Sequence, residues 1–200
     1  MSDKKPSAAD VKTLREMTGA GIMDVRDALI EAGSDIEAAK KILRERGQAK
    51  AAKRGGRSTS EGKIGSYIHG GGVKGVLVEI GCETDFVANT DEFQAFVKDI
   101  SLQIVSSEGT RYVSIDDVPE ANKQAELEIF RTQAADKPVE VQDKIAEGRL
   151  RKWYEEICVL EQPYFRDEDQ KVEQVRAALS AEMGENITIK RFASFSLGQE

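Results

Sequence analysis

Three consecutive glycines, Gly70-Gly71-Gly72, separate two β-like stretches, Lys63 to His69 and Val73 to Cys82. Glycine takes positive φ without steric cost, so the triplet reads as the loop of a hairpin. That hairpin constrains everything else. Two strands alone are marginal in water and need a third strand or a packed helix. The next strand-like segment is Asn186 to Leu197, where Ile187, Ile189, Ala193, Phe195 and Leu197 share one alternation phase. The intervening sequence is helical in pattern. The chain is therefore expected to form an α+β core: a hairpin, a long helical excursion and a returning C-terminal strand in a small antiparallel sheet. A sheet this small leaves a face or an edge to be covered, which is a reason to expect a partner or a second copy.

The helical excursion has clear punctuation. Thr90 is placed to cap a helix carrying Phe93, Phe96, Val97, Ile100, Ile104 and Val105 on one side. Pro119 opens a second helix, and Lys137-Pro138 ends it. Val141 to Leu160 is a third, with Ile145, Leu150, Trp153, Ile157 and Leu160 inward. Gln162-Pro163 interrupts again, and Val172 to Met183 is helical until Gly184.

The first 55 residues differ. Ser7-Ala8-Ala9-Asp10 and Ser34-Asp35-Ile36-Glu37 are capping-box patterns. They frame helices bearing Val11, Leu14 and Met17, then Val25, Ala28, Leu29 and Ala32 from about Asp24, then Ile36, Ala39, Ile42 and Leu43 until near Gly47. Thr18-Gly19-Ala20-Gly21 and Gly33 supply the breaks. This predicts a three-helix module at residues 1–55 and an α+β core at 56–200. Lys50 to Gly62, with Gly-Gly and Ser-Thr-Ser, has a linker composition with room for a helical start.

Composition restricts the function classes. Hydrophobic residues make up 40% of the chain, enough for a real core, and no apolar run approaches a membrane span. The start, Met1 to Lys12, has no apolar segment of a secretory leader. Cys82 and Cys158 lack metal-ligand spacing and do not make a disulfide scaffold, so a reduced, cytoplasmic protein with two packing cysteines is expected. The net charge of −7 argues against nucleic-acid binding by the whole surface. Lys40 to Arg57 stands out, with eight basic residues against the single acid Glu45. That segment is +7, which leaves −14 on the rest. It reads either as a solvated helix end or as a contact for RNA or an acidic protein.

Reactive constellations are scarce. Gly70 to Gly75 fits G-x-G-x-x-G by letter, but a strand follows it where a phosphate site needs a helix N-terminus. His69-Gly70-Gly71-Gly72 resembles an oxyanion loop, yet no G-x-S-x-G elbow accompanies it. No G-x-x-x-x-G-K-[ST] is present. His69 is the sole histidine. No cofactor, no metal site and no covalent chemistry are expected.

One junction is unusual. Between the strand-like VLVEI and the helix-like TDEFQAFVKDI lies Cys82-Glu83-Thr84-Asp85-Phe86-Val87-Ala88-Asn89, with a large aromatic where turns carry small polar residues. This run, with Thr18-Gly19-Ala20-Gly21-Ile22-Met23-Asp24, Ile145-Ala146-Glu147-Gly148-Arg149 and Gly184-Glu185-Asn186-Ile187, resembles the elongation factor Ts family in order and spacing over essentially the whole chain. At 200 residues the chain is similar to the short, single-core form.

The resemblance implies a ubiquitin-associated-like N-terminal domain and a guanine-nucleotide exchange factor acting on elongation factor Tu, GDP-bound and nucleotide-free. It implies that Thr84, Asp85, Phe86 and Val87 dislodge the partner's magnesium, with Phe86 as a wedge and Asp85 positioning the loop. Arg15, Ile22 and Met23 are implied partner contacts. Ser66 to Gly70 resembles a segment of the long forms' second half, which makes His69 a further contact. A single core carrying both surfaces implies a homodimer and a two-to-two complex, without direct nucleic acid or membrane. An RNA-binding protein using the basic segment is a second reading. A hydrolase using His69 with Asp85 or Glu83 is a third.

Overall fold

A computed structural model of the chain describes residues 6–198. Residues 1–5 lie outside it, and with them the start of the stretch read above for a leader. The chain divides into two compact units, neither continuous in sequence. One holds the residues up to Gly62, Gly81–Phe93 and Gln174–Thr188. The other holds Lys63–Ile80, Gln94–Glu173 and the residues from Ile189.

The first unit begins with three helices, α1 (Ala8–Thr18), α2 (Ile22–Glu31) and α3 (Ile36–Arg54). Ser7 caps α1 by accepting the amide of Asp10. Asp35, rather than Ser34, caps α3 by accepting the amide of Ala38 at 2.9 Å. Ser34 instead takes a left-handed turn at φ 70°. Leu14, Val25, Ala28, Leu29, Ala39 and Leu43 are buried together at the helix crossing. Helix α3 runs past Gly47, where a stop was expected. Ala51, a turn beyond Gly47, is buried, and its packing carries the helix on. A helical glycine costs about 1 kcal/mol relative to alanine, which this packing outweighs.

The second unit contains the sheet. β1 (Glu61–His69) and β2 (Lys74–Cys82) form the expected hairpin, joined by Gly70–Gly72 with φ of 60°, 72° and 95°. β5 (Thr188–Ser196) pairs with β2, giving the order β1-β2-β5. The end of β5 meets the start of β2, since Leu197 N donates to Val73 O at 2.9 Å, so the three-stranded sheet is antiparallel. One face is buried under α5 (Asp91–Ser106). Gly65 lies against Val97 and Ser101 of that helix and against Val78 of β2. The other face is apolar and open: Ile64, Ile68, Leu77, Phe195 and Leu197 are all exposed. The alternation phase of β5 therefore changes character along the strand. Ile187 and Ile189 are buried, while Phe195 and Leu197 face solvent.

Between α5 and β5 come α6 (Glu120–Gln133) and α7 (Val139–Ile157), which pack on each other, and α8 (Val172–Met183). Pro119 and Pro138 occupy the N-caps of α6 and α7. Two short strands, β3 (Pro163–Tyr164) and β4 (Asp167–Lys171), pair antiparallel where the sequence indicated only a break. Asp99 of α5 ties this ribbon down by accepting Tyr164 Oη at 2.6 Å and two Arg166 nitrogens at 2.8 and 2.6 Å. Among the described residues no helix is long and apolar enough to cross a membrane.

Candidate functional site

Strand β2 ends at Cys82, which is buried and donates its thiol to Thr84 O at 3.1 Å. Burial pushes that thiol up from its ordinary pKa, so it stays protonated. The chain then makes a single helical turn, α4 (Asp85–Ala88), capped by Thr84, whose Oγ1 accepts the amide of Val87. Val87 and Ala88 point inward, at 8% and 3% exposure. Phe86 points out, at 82%. The ring that looked out of place in the sequence is thus an exposed apolar group.

A four-residue helix cannot hold itself, because nucleation is unfavourable and so few residues add little propagation. Its shape comes from residues about a hundred positions away. Glu185 Oε2 accepts the amides of Glu83 and Thr84, both at 3.0 Å, and Oε1 accepts the Thr84 hydroxyl at 2.6 Å. In return Glu83 Oε1 accepts the amide of Asn186 at 2.6 Å and a guanidinium N–H of Arg57 at 3.3 Å. The Asn186 amide, opposed by partial burial and helped by Arg57, holds the Glu83 carboxyl below its ordinary range. Downstream, Asn89 Nδ2 donates to Asp85 O at 2.8 Å, and Thr90 Oγ1 both donates to Val87 O and accepts the amide of Phe93. Asp85 itself is exposed.

The N-terminal candidates lie in the same unit. Helix α1 ends at Gly19, φ 64°, and α2 starts at Ile22 rather than Asp24. Ile22 and Met23 occupy its exposed first turn, at 57% and 60%, and Arg15 is exposed on α1. All three line one surface depression with Val11, Arg26 and Glu182. Partial desolvation, then the nearby Glu92, pushes the carboxyl of the exposed Glu182 up from its ordinary range. His69 belongs to the other unit. It ends β1, is exposed, and has Tyr67 Oη 3.3 Å from Nδ1.

Sequence reasoning missed Glu83, Glu185 and Asn186 as supports. Gly184-Glu185-Asn186-Ile187 was visible as a motif, but nothing local connects it to Thr84. The basic segment is partly spent within its own unit: Arg46 pairs with Glu31, Lys50 with Asp24 at 2.8 Å, Arg54 with Ser180 O and Arg57 with Glu83. Among the described residues no group of three or more His, Cys, Asp or Glu is arranged to hold a metal ion.

This unit thus carries two exposed apolar features, Phe86 on a braced turn and the pair Ile22 and Met23 at the start of α2. The elongation factor Ts family model matches residues 8–199. Relatives named elongation factor Ts include those of Caldanaerobacter subterraneus subsp. tengcongensis, 54% identical over 96% of this chain and 97% of the relative, and of Geobacter sulfurreducens, 47% identical over 96% and 90%. A Thermoanaerobacter species has another, 52% identical over 96% and 95%. The chain belongs to the elongation factor Ts family, which makes it a translation elongation factor and implies nucleotide exchange on elongation factor Tu.

Proposed function

We propose that this chain binds GDP-bound elongation factor Tu and speeds GDP release through Thr84, Asp85, Phe86 and Val87. Phe86 enters the GTPase as a wedge, and the displacement disturbs the magnesium that links phosphate oxygens to that protein's side chains. Arg15, Ile22 and Met23 of the 1–55 domain grip the GTPase, with His69 of the 56–200 core as a further contact. No bond is made or broken. The factor weakens GDP binding, so by reciprocity nucleotide weakens the factor, which stays bound until GTP enters. The setting is the cytoplasm.

The observation that carries this reading is the 82% exposure of Phe86 on a turn whose neighbours Val87 and Ala88 are buried. Burying such a ring supplies about 1.5–3 kcal/mol, or one to two decades in an equilibrium constant. Phe86 therefore works with the other contacts. The test is release of fluorescent GDP from elongation factor Tu. The wild-type chain is expected to accelerate it and Phe86→Ala to do so more slowly. Equal rates would remove the wedge.

The proposal includes a homodimer and a two-to-two complex, each GTPase touching both protomers. Its support is the open apolar face of Ile64, Ile68, Leu77, Phe195 and Leu197.

A further inference from the structure

We propose that Glu185 is a positioning residue for exchange, holding Phe86 in its working direction through Thr84. The inference rests on the reading of Phe86 as the group that enters the GTPase.

The geometry is a short chain of hydrogen bonds. Val87 N donates to Thr84 Oγ1, and the Thr84 hydroxyl donates to Glu185 Oε1 at 2.6 Å. The donor direction is settled, because a carboxylate only accepts and the Val87 amide only donates. Phe86 lies between the two linked residues, so the rotation of its turn is set at both sides. Glu185 Oε2 then takes the amides of Glu83 and Thr84, fixing the backbone that leads into the turn. One side chain satisfies three donors on two consecutive residues.

Glu185 is held as firmly as it holds. Gly184 turns the chain out of α8 with φ 74°, a conformation glycine takes without strain. The Ser180 hydroxyl donates to Glu185 O at 2.5 Å. Asn186, the next residue, is 1% exposed and donates Nδ2 to Arg57 O at 2.9 Å and Gly55 O at 3.4 Å. The carboxylate thus starts from a fixed base. This matters because an apolar group on a loose loop must be ordered at each encounter, and that cost is subtracted from binding. A braced loop avoids it.

The interaction is also chemically specific. An aspartate is one methylene short of both amides. An alanine leaves two amides and a hydroxyl without their partner. A glutamine keeps one oxygen for both amides and turns its NH2 toward Thr84 Oγ1, which can accept it. The order of function expected is therefore Glu, then Gln, then Asp and Ala.

The experiment measures release of fluorescent GDP from elongation factor Tu against concentration of the full chain, with melting temperatures alongside. Wild type and Phe86→Ala come first. If wild type has no effect, or Phe86→Ala equals it, the underlying reading fails. With that reading intact, Glu185→Ala and Glu185→Asp are expected to lower the slope about ten-fold, the scale of lost charge-assisted hydrogen bonds. Glu185→Gln should stay within about three-fold of wild type by the retained acceptor. Combined with Phe86→Ala, Glu185→Ala should cause no further loss, since it acts through that ring. Equal slopes for all Glu185 variants and wild type would overturn the proposal. So would a Glu185→Ala loss of the same size with and without Phe86, which is the signature of general destabilisation. If Glu185→Ala does not fold, Glu185→Gln against Glu185→Asp carries the same comparison.

Discussion

A Cβ placed on Gly65 would fall 2.5 Å from Cγ1 of Val97. It would also lie 2.8 Å from Ser101 Oγ and 3.2 Å from Val78 Cγ1. Helix α5 therefore approaches β1 to a distance that only a missing side chain permits. Val97 is 7% exposed, Ser101 1% and Val78 1%, so none has open space to move into. Gly65→Ala is expected to cost about 1–3 kcal/mol by overpacking. Urea denaturation checks this, and Val97→Ala added to Gly65→Ala should recover part of the loss. An unchanged midpoint would mean that α5 and β1 are not this close.

The Asp99 cluster predicts an acid-sensitive ribbon. Burial pushes the Asp99 carboxyl up, but hydrogen bonds from Arg166 and Tyr164 outweigh it, and the net shift is downward. A depressed carboxyl contributes stability above its ordinary pKa, and that contribution is lost as pH falls through the folded value. Burial, then the same carboxylate, pushes the Tyr164 hydroxyl up, and the carboxylate pushes the Arg166 guanidinium up. Asp99→Asn is thus expected to lower stability by about 1–3 kcal/mol at pH 7, as for a lost charge-assisted bond. It should also flatten the fall in stability below about pH 4, where aspartates take up protons. Urea midpoints from pH 7 to pH 3 test both parts. Parallel curves for the two proteins would show that Asp99 is not the titrating group.

These two sites also mark where the sequence stopped being informative. Local signals were readable. Thr90, Pro119 and Gly184 sit at the helix ends they indicated, and Gly70–Gly72 close the hairpin. The amphipathic side of α5 is buried at Phe93, Phe96, Val97, Ile100, Ile104 and Val105. Errors at element ends came from competition between local and tertiary preferences. Gly47 was expected to end α3, but Ala51 is buried one turn later and keeps the helix going. What could not be read was pairing across long separations. Asp99 meets Arg166, 67 positions on, and Thr84 meets Glu185, 101 positions on. Neither pair has a periodicity or a spacing rule. Thus the exposed ring of Phe86 was visible as an anomaly, while its support was not.

Ile22 and Met23 separate docking from stability. Both are more than half exposed, whereas Leu29 of the same helix is fully buried. Replacing the pair by serine should change the unfolding free energy by less than about 0.5 kcal/mol, as for ordinary surface sites. Leu29→Ala should cost about 2–5 kcal/mol. The serine pair is nevertheless expected to raise the concentration needed for half-maximal GDP release about ten-fold or more, since two apolar side chains lose their burial. Titration of the factor against labelled GDP release, with a melting curve in parallel, checks both. A lowered melting temperature with unchanged exchange would place these residues in the fold and not at the contact.

The open sheet face makes the last prediction. Phe195 and Leu197 are 72% and 77% exposed, and Ile64 and Ile68 are 73% and 72%. Apolar groups clustered on one open face are an association surface when a second copy can cover them. Phe195→Glu with Leu197→Glu would place like charges on both sides of a self-complementary interface and remove the apolar area that drives it. The wild-type chain should sediment as a dimer at micromolar concentration, and the double variant as a monomer with an unchanged far-ultraviolet spectrum. Exchange by the variant should weaken if each GTPase touches two protomers, because His69 would then have to come from the other copy. A monomeric wild type would end the dimer proposal. A double variant that remains dimeric would move the interface off this face.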